Sequence, residues 1–217
     1  MDGRGFFLYV SDREGENMSS SMKEAMALRR SIYAIGKNVG VSDEHIRMLV
    51  EDAVRNAPSA FNCQSARLVL LFGGAHDRLW DIVKDTLSLH VPAGRFASTE
   101  KKLAGFKAGY GTVLFFDDAE VTRKLMATYP SYKDHFPLWA QQANGMLQYA
   151  VWTLLEAEGL GASLQHYNPL IDGKVLSAWG LPETWQLIAQ MPFGSVEAEA
   201  GSKESIPVAE RMKVFSD

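Results

Sequence analysis

The chain has 217 residues, 47% of them hydrophobic and 22% charged, with a formal net charge of −4. That mix fits one globular domain with a sizeable core and leaves no global basic field of the kind that draws nucleic acid or an anionic membrane surface. A single cysteine, Cys63, excludes an internal disulfide framework and fits a reducing cytoplasm, and no apolar run approaches the ~20 residues of a spanning helix.

Residues 1–20 read as a leader ahead of a single domain at 21–217. Gly5-Phe6-Phe7-Leu8-Tyr9-Val10 is apolar but short, and it sits between Asp2, Arg4 and a charged run at 12–16, unlike a signal peptide. The leader is either disordered or ahead of a true start at Met18 or Met22. Ser21-Met22-Lys23-Glu24 has the form of a capping box, so a helix is expected from Ser21, with Met22, Ala25 and Met26 on its apolar side. It ends near Arg29-Arg30-Ser31. Two guanidinium forks beside a hydroxyl suit a phosphate; a solvated basic helix end, favoured by the helix dipole, is the plainer alternative.

Ser42 caps the next helix, residues 43–56, in which Ile46, Leu49, Val50, Ala53 and Val54 recur at helical spacing. Pro58 stops it, because the residue before a proline is driven out of the α region. The loop Ala57-Pro58-Ser59-Ala60-Phe61-Asn62-Cys63-Gln64 then leads into a strand at 66–72. Its Ser59, Asn62 and Gln64, with Ser65, offer donors and acceptors to a planar heteroaromatic ring, although the same residue types also favour ordinary turns. Gly73-Gly74 turns the chain into a helix at 75–89 with Leu79, Trp80, Ile82, Val83 and Leu87 as core contacts; 90–99 reads as a loop, 100–107 as a short helix and 112–116 as a strand buried on both faces.

A helix at 119–129 and an irregular aromatic stretch at 130–137 precede the longest helical pattern, 138–158, apolar over much of its girth and suited to burial or a subunit interface. Residues 162–167 read as extended, 172–179 as a helix and 185–191 as a strand; the tail from about 195 holds few core residues before Val214-Phe215. Strands separated by several helices without strict alternation argue for an α+β fold. Five histidines, at 45, 76, 90, 135 and 166, show no close metal spacing, and Gly159-Leu160-Gly161 does not continue into a dinucleotide fingerprint. Cys63 has no basic neighbour in sequence and reads as an inert buried thiol.

Taken together, Arg29-Arg30-Ser31, then Pro58-Ser59-x-x-Asn62-x-Gln64, resemble the FMN-dependent nitroreductase family. Phe106-Lys107-Ala108-Gly109-Tyr110-Gly111-Thr112, Leu164-Gln165-His166-Tyr167-Asn168-Pro169 and Pro207-Val208-Ala209-Glu210-Arg211 look like its type III bacterial branch, named after a yeast fatty-acid-repression mutant. The resemblance runs from about Met22 to Phe215. It implies a mixed central sheet flanked by helices, and a homodimer in which the C-terminal extension, about 195–217, is exchanged.

The resemblance also implies site roles. Arg29 and Ser31 would anchor the FMN phosphate, with Arg30 along the ring or ribityl chain. Pro58, Ser59, Asn62 and Gln64 would meet the flavin across the dimer interface, and Leu164, Gln165 and His166 would lie along its other side with a backbone N–H toward N5. His166 is the candidate proton donor there; a lone histidine beside a strand is more often structural. Lys107 would sit near the N1–C2 edge or else be a plain surface residue. The family commonly places a Lys-x-Arg pair before a C-terminal proline; here Lys203-Glu204-Ser205 stands before Pro207, so the second cation is Lys203 alone or Arg211 in the missing arginine's stead. Tyr129, Tyr132, Phe136 and Trp139 form either a lid or ordinary packing. The expected activity is reduction of nitroaromatics, quinones or a similar small aromatic acceptor by NADH or NADPH in alternating visits to one flavin. The alternative is a flavin-binding, redox-responsive regulatory protein with little turnover.

Overall fold

The structure, a computed structural model, describes residues 18–216. Residues 1–17, most of the expected leader, lie outside the described residues. Helix α1 spans Met18–Leu28. It therefore starts ahead of Ser21, because nothing between Met18 and Ser21 breaks a helix, and residues 18–20 belong to it. Strand β1 (Ile35–Gly36) is short, and α2 (Asp43–Asn56) opens on Ser42, whose hydroxyl accepts from the His45 N–H at 3.1 Å. Strand β2 (Ala66–Phe72) passes directly into α3 (Gly73–Ser88), with Gly73 at φ 50° making the turn.

The stretch expected to be a loop at 90–99 is mostly helix: α4 runs Ala93–Lys107. Pro92 supplies the helix entry at φ −54°, and Gly94 falls in the first turn, where it costs least. Then come β3 (Gly111–Asp118), α5 (Ala119–Thr128), α6 (Phe136–Ala157), β4 (Leu160–Ala162), α7 (Asp172–Trp179), β5 (Trp185–Val196) and a last turn, α8 (Val208–Arg211).

The sheet order is β1, β5, β3, β2, with β4 also on β5. Every pairing between these named strands is antiparallel; the parallel component is a single bridge, Ser31 to Ala162. The fold is α+β, as expected, but within one chain the sheet is mixed only at that bridge.

Strand β3 explains its own apolar run. Val113 and Phe115 point into a core shared with Ile46, Val50, Leu147 and Val151 of α2 and α6. Leu114 and Phe116 point the other way, into Leu79, Trp80, Val83 and Phe106 of α3 and α4. All four β3 residues are fully buried. The register with β5 slips between Phe115, opposite Ala189, and Phe116, opposite Leu187, which leaves Ile188 as the extra residue of a bulge. A one-residue slip moves a side chain to the opposite face. Ala189 accordingly packs in the first core and Leu187 in the second.

His76 pins α4 to this frame. Its Nδ1 lies 2.8 Å from the Thr112 hydroxyl and its Nε2 3.2 Å from the Lys107 carbonyl, while the Trp80 indole N–H donates to the same hydroxyl at 3.1 Å. A neutral ring satisfies every partner in the tautomer that donates Nε2–H to the carbonyl and accepts the Thr112 O–H at Nδ1. Burial pushes its pKa below the ordinary 6.5. The unfolded chain takes up a proton near 6.5 and the folded one resists it, so the stability held above that value is lost as pH falls through the depressed pKa. The unfolding midpoint should drop on acidification below about pH 6.5, and less steeply in His76→Gln; equal slopes would remove His76 as the cause.

Several apolar expectations fail in the single chain. Met22, Met26 and Leu28 of α1 and Leu138 and Met146 of α6 are exposed, so α6 is buried on one side only. Val214 and Phe215, expected as the tail's core residues, are also exposed, Phe215 at 92%. Among the described residues, no helix is long and apolar enough to cross a membrane.

Candidate functional site

After α1 the chain docks onto the sheet. The Ile32 N–H donates to Ala162 at 2.9 Å, next to the Ser31–Ala162 bridge. This fixes Arg29, Arg30 and Ser31 between a helix end and a sheet edge. From the other end of the sequence, the Glu197 N–H donates to Ala34 at 2.9 Å and residues 198–203 run on past β5. The two segments enclose a cavity of about 510 Å³ lined by Arg29, Arg30, Ser31, Tyr33, Glu199 and Lys203, among others. Of the residues singled out in the sequence, Arg29, Arg30, Ser31 and Lys203 are brought together. Arg211 is not: it sits exposed on α8, outside the cavity lining.

Arg29 is held from behind. Its guanidinium carbon lies 4.4 Å from the Trp152 ring centroid and 6.0 Å from that of Tyr149. Tyr149, Trp152 and Glu156 recur along α6 at spacings of three and four, on one face of the helix. The Arg29 Nε, Trp152 Nε1 and Glu156 Oε2 atoms are all buried without a hydrogen-bond partner among the described residues. Burial raises the Glu156 carboxyl above its ordinary value, and the Arg30 backbone N–H and the Arg29 charge oppose that. A partly buried cation whose Nε–H is buried with its hydrogen bond unmade is ready to receive an acceptor. The sequence reading missed Trp152 and Glu156, because α6 was taken as apolar over much of its girth and its polar positions were passed over.

The loop after α2 is strained. Phe61, Asn62 and Gln64 have φ of 55°, 50° and 50°. Asparagine tolerates this region, while phenylalanine and glutamine do not, at roughly 1–3 kcal/mol each. The loop is tied internally: the Gln64 N–H donates to the Ser59 hydroxyl at 3.0 Å and Gln64 Nε2 to the Asn62 carbonyl at 3.3 Å. Pro58, Ser59 and Gln64 line a second cleft, about 670 Å³, with Arg55, Arg67 and Trp185. In one chain this cleft and the arginine cavity share no lining residue. Phe61, passed over in the sequence, is the hub of the aromatic stretch: its ring centroid lies 4.8 Å from Tyr129, 5.5 Å from Phe136, 5.9 Å from Tyr132 and 6.2 Å from Trp139. Cys63 is half-buried rather than buried, with its thiol 3.7 Å from the Ser65 hydroxyl.

Four expected site residues are otherwise engaged or elsewhere. Lys107 Nζ lies 2.7 Å from both carboxylate oxygens of Asp81, so its charge is paired and lies outside the cavity lining. The Gln165 N–H donates to Gln190 at 2.7 Å and its side chain to Ser163 at 3.1 Å, so that N–H is committed to the sheet. Leu164 packs against the first core, and His166 is exposed; neither lines the arginine cavity.

Comparison with known proteins gives this geometry a family. The model of the nitroreductase family matches residues 26–195. HBN1 of Saccharomyces cerevisiae is 36% identical over 185 residues, covering 84% of this chain and 92% of the yeast protein. The nitroreductase CinD of Lactococcus lactis, solved with chloramphenicol, is 43% identical with a TM-score of 0.82, covering 92% of this chain and all of CinD; it has also been solved with 4-nitrophenol. A Desulfovibrio desulfuricans protein solved with FMN shares the fold, at 24% identity and a TM-score of 0.64 over 93% of this chain and 99% of that one. The chain belongs to the nitroreductase family.

Proposed function

We propose that this protein is a homodimeric, FMN-dependent oxidoreductase that uses NADH or NADPH to reduce nitroaromatics, quinones or related small aromatic acceptors in the cytoplasm. The observation that carries the reading is the convergence of Arg29, Arg30, Ser31 and Lys203, from opposite ends of the sequence, on one cavity. The residues fit the phosphate end of FMN. Three cations and the hydroxyls of Ser31, Tyr33 and Ser202 line the space, Arg29 Nε lacks an acceptor among the described residues, and one lining carboxylate, Glu199, opposes them. CinD in complex with 4-nitrophenol and with chloramphenicol supports an aromatic nitro compound as acceptor.

When bound, FMN would supply the ring that accepts hydride from the nicotinamide and passes it on. The chain's own residues hold and orient. Arg29, stacked on Trp152, presents a preset fork to the phosphate. Ser31 adds a hydroxyl and Lys203 a point charge. Ser59, Asn62 and Gln64 carry the polar edge for the ring. Since the cleft lined by Ser59 and Gln64 and the arginine cavity are separate in one chain, a second copy would bring them together. The uncovered apolar sides of α1 and α6 and the exposed tail suit that second copy. No protein nucleophile is required.

Purified protein should be yellow, release FMN on denaturation, and oxidise NADH or NADPH with 4-nitrophenol or a quinone in a double-displacement pattern. Ternary-complex kinetics would overturn the alternating-visit mechanism. Fully flavinated protein without turnover would instead make it a flavin-binding regulator, and colourless protein that takes up no FMN would overturn the cofactor.

A further inference from the structure

Beyond β5 the chain loses its ladder. Residues 198–203 form an almost wholly exposed strap over the arginine cavity, and this strap carries both Lys203 and Glu199. Among the described residues, one hydrogen bond ties it to the body of the domain: Arg30 Nη2 donates to the Gly201 carbonyl at 2.7 Å, across 171 positions of sequence. An exposed segment without ladder or core contacts samples many conformations. A cation on it meets the cavity only for the fraction of time that something holds it there. The chain also has Ser205 where the family commonly places a second C-terminal arginine, so Lys203 is the cation that the strap contributes to the cavity.

We propose, on the FMN reading above, that Arg30 is a positioning residue: it staples the strap through Gly201 and so aims Lys203 at the anion that Arg29 and Ser31 hold. The two neighbouring arginines thereby have different tasks. Arg29 is propped by Trp152 with Nε unpartnered, ready for the anion. Arg30 already has a carbonyl acceptor on the strap. A staple predicts coupling, because losing Arg30 and losing Lys203 remove the same contribution.

The test is a double-mutant cycle on the full chain, read as FMN affinity from quenching of flavin fluorescence in flavin-stripped protein, with folding checked by circular dichroism. Arg30→Ala and Lys203→Ala should each weaken FMN about tenfold, and the double variant should also lose about tenfold. Arg30→Lys, whose ammonium can still donate to one carbonyl, should stay within about threefold. Losses that multiply in the double variant would overturn the proposal, since Arg30 would then act on the anion by itself. Tryptic cleavage after Lys203, followed by mass spectrometry without FMN, gives a second readout: it should be several-fold faster in Arg30→Ala. Equal cleavage rates would overturn the staple whether or not FMN binds. Wild-type protein that binds no FMN would overturn the cofactor reading and leave the cleavage result to decide the strap.

Discussion

Arg29→Ala is expected to weaken FMN binding on the order of 100-fold, the largest effect of any single change in the cavity. Removing one partner of a hydrogen-bonded charge pair in a desolvated site costs about 2–5 kcal/mol, and each ~1.4 kcal/mol is tenfold in affinity. Arg29 meets the desolvation condition: its Nε is buried and its guanidinium lies against the Trp152 ring. Lys203 is exposed and Arg30 already donates to the Gly201 carbonyl, so both should matter less. Arg29→Lys keeps the charge but loses the planar fork, so it should fall between the wild type and Arg29→Ala. Riboflavin lacks the phosphate, and its binding should hardly change in Arg29→Ala. If FMN and riboflavin weaken equally, Arg29 supports the ring or the fold and does not hold the phosphate.

Phe115→Ala should destabilise the domain by about 3–5 kcal/mol, the range for truncating a fully buried phenylalanine. For a chain of this size that lowers the melting midpoint by roughly 10 °C. Phe115 lies at the centre of the sheet, between β2 and β5, and no part of it is exposed. Its cavity would open among Val113, Leu147, Val151 and Met191, and a sheet packed by helices on both faces cannot readily collapse to fill it. Phe116→Ala, on the opposite face, should cost a similar amount. Melting should be compared at one protein concentration and one FMN concentration, since ligand and partner shift the midpoint by mass action. A loss below about 1 kcal/mol would mean that the bulge lets β3 repack.

What could be read in the sequence was local. Ser42 and Pro58 bound α2 because a cap and a proline act within a few residues of themselves. The β3 run identified a doubly buried strand because side-chain alternation is a backbone property. The α4 start was misread because Pro92 can close a loop or open a helix with equal ease, and only packing of Leu103 and Phe106 on α3 decides which. The motif residues Arg29, Arg30, Ser31 and Lys203 could be singled out as candidates, but their meeting in one cavity depends on two sheet-edge contacts, Ser31 with Ala162 and Glu197 with Ala34, that no local pattern encodes.

Charge in the sequence did not reveal which cations are available. Lys107 looked as eligible as Lys203 until the fold set it against Asp81, 26 residues away. Trp152 and Glu156 looked like two more positions in a long helix until α1 ended over them. By itself the sequence determined most of the elements, the family and the cast of candidate residues, because these follow from propensity, spacing and residue chemistry. Tertiary structure alone decided that Lys107 is paired with Asp81, which ring props which guanidinium, and that the polar loop and the arginine cavity stay apart in one chain, because pairing and burial are set by contacts between segments that are distant in sequence.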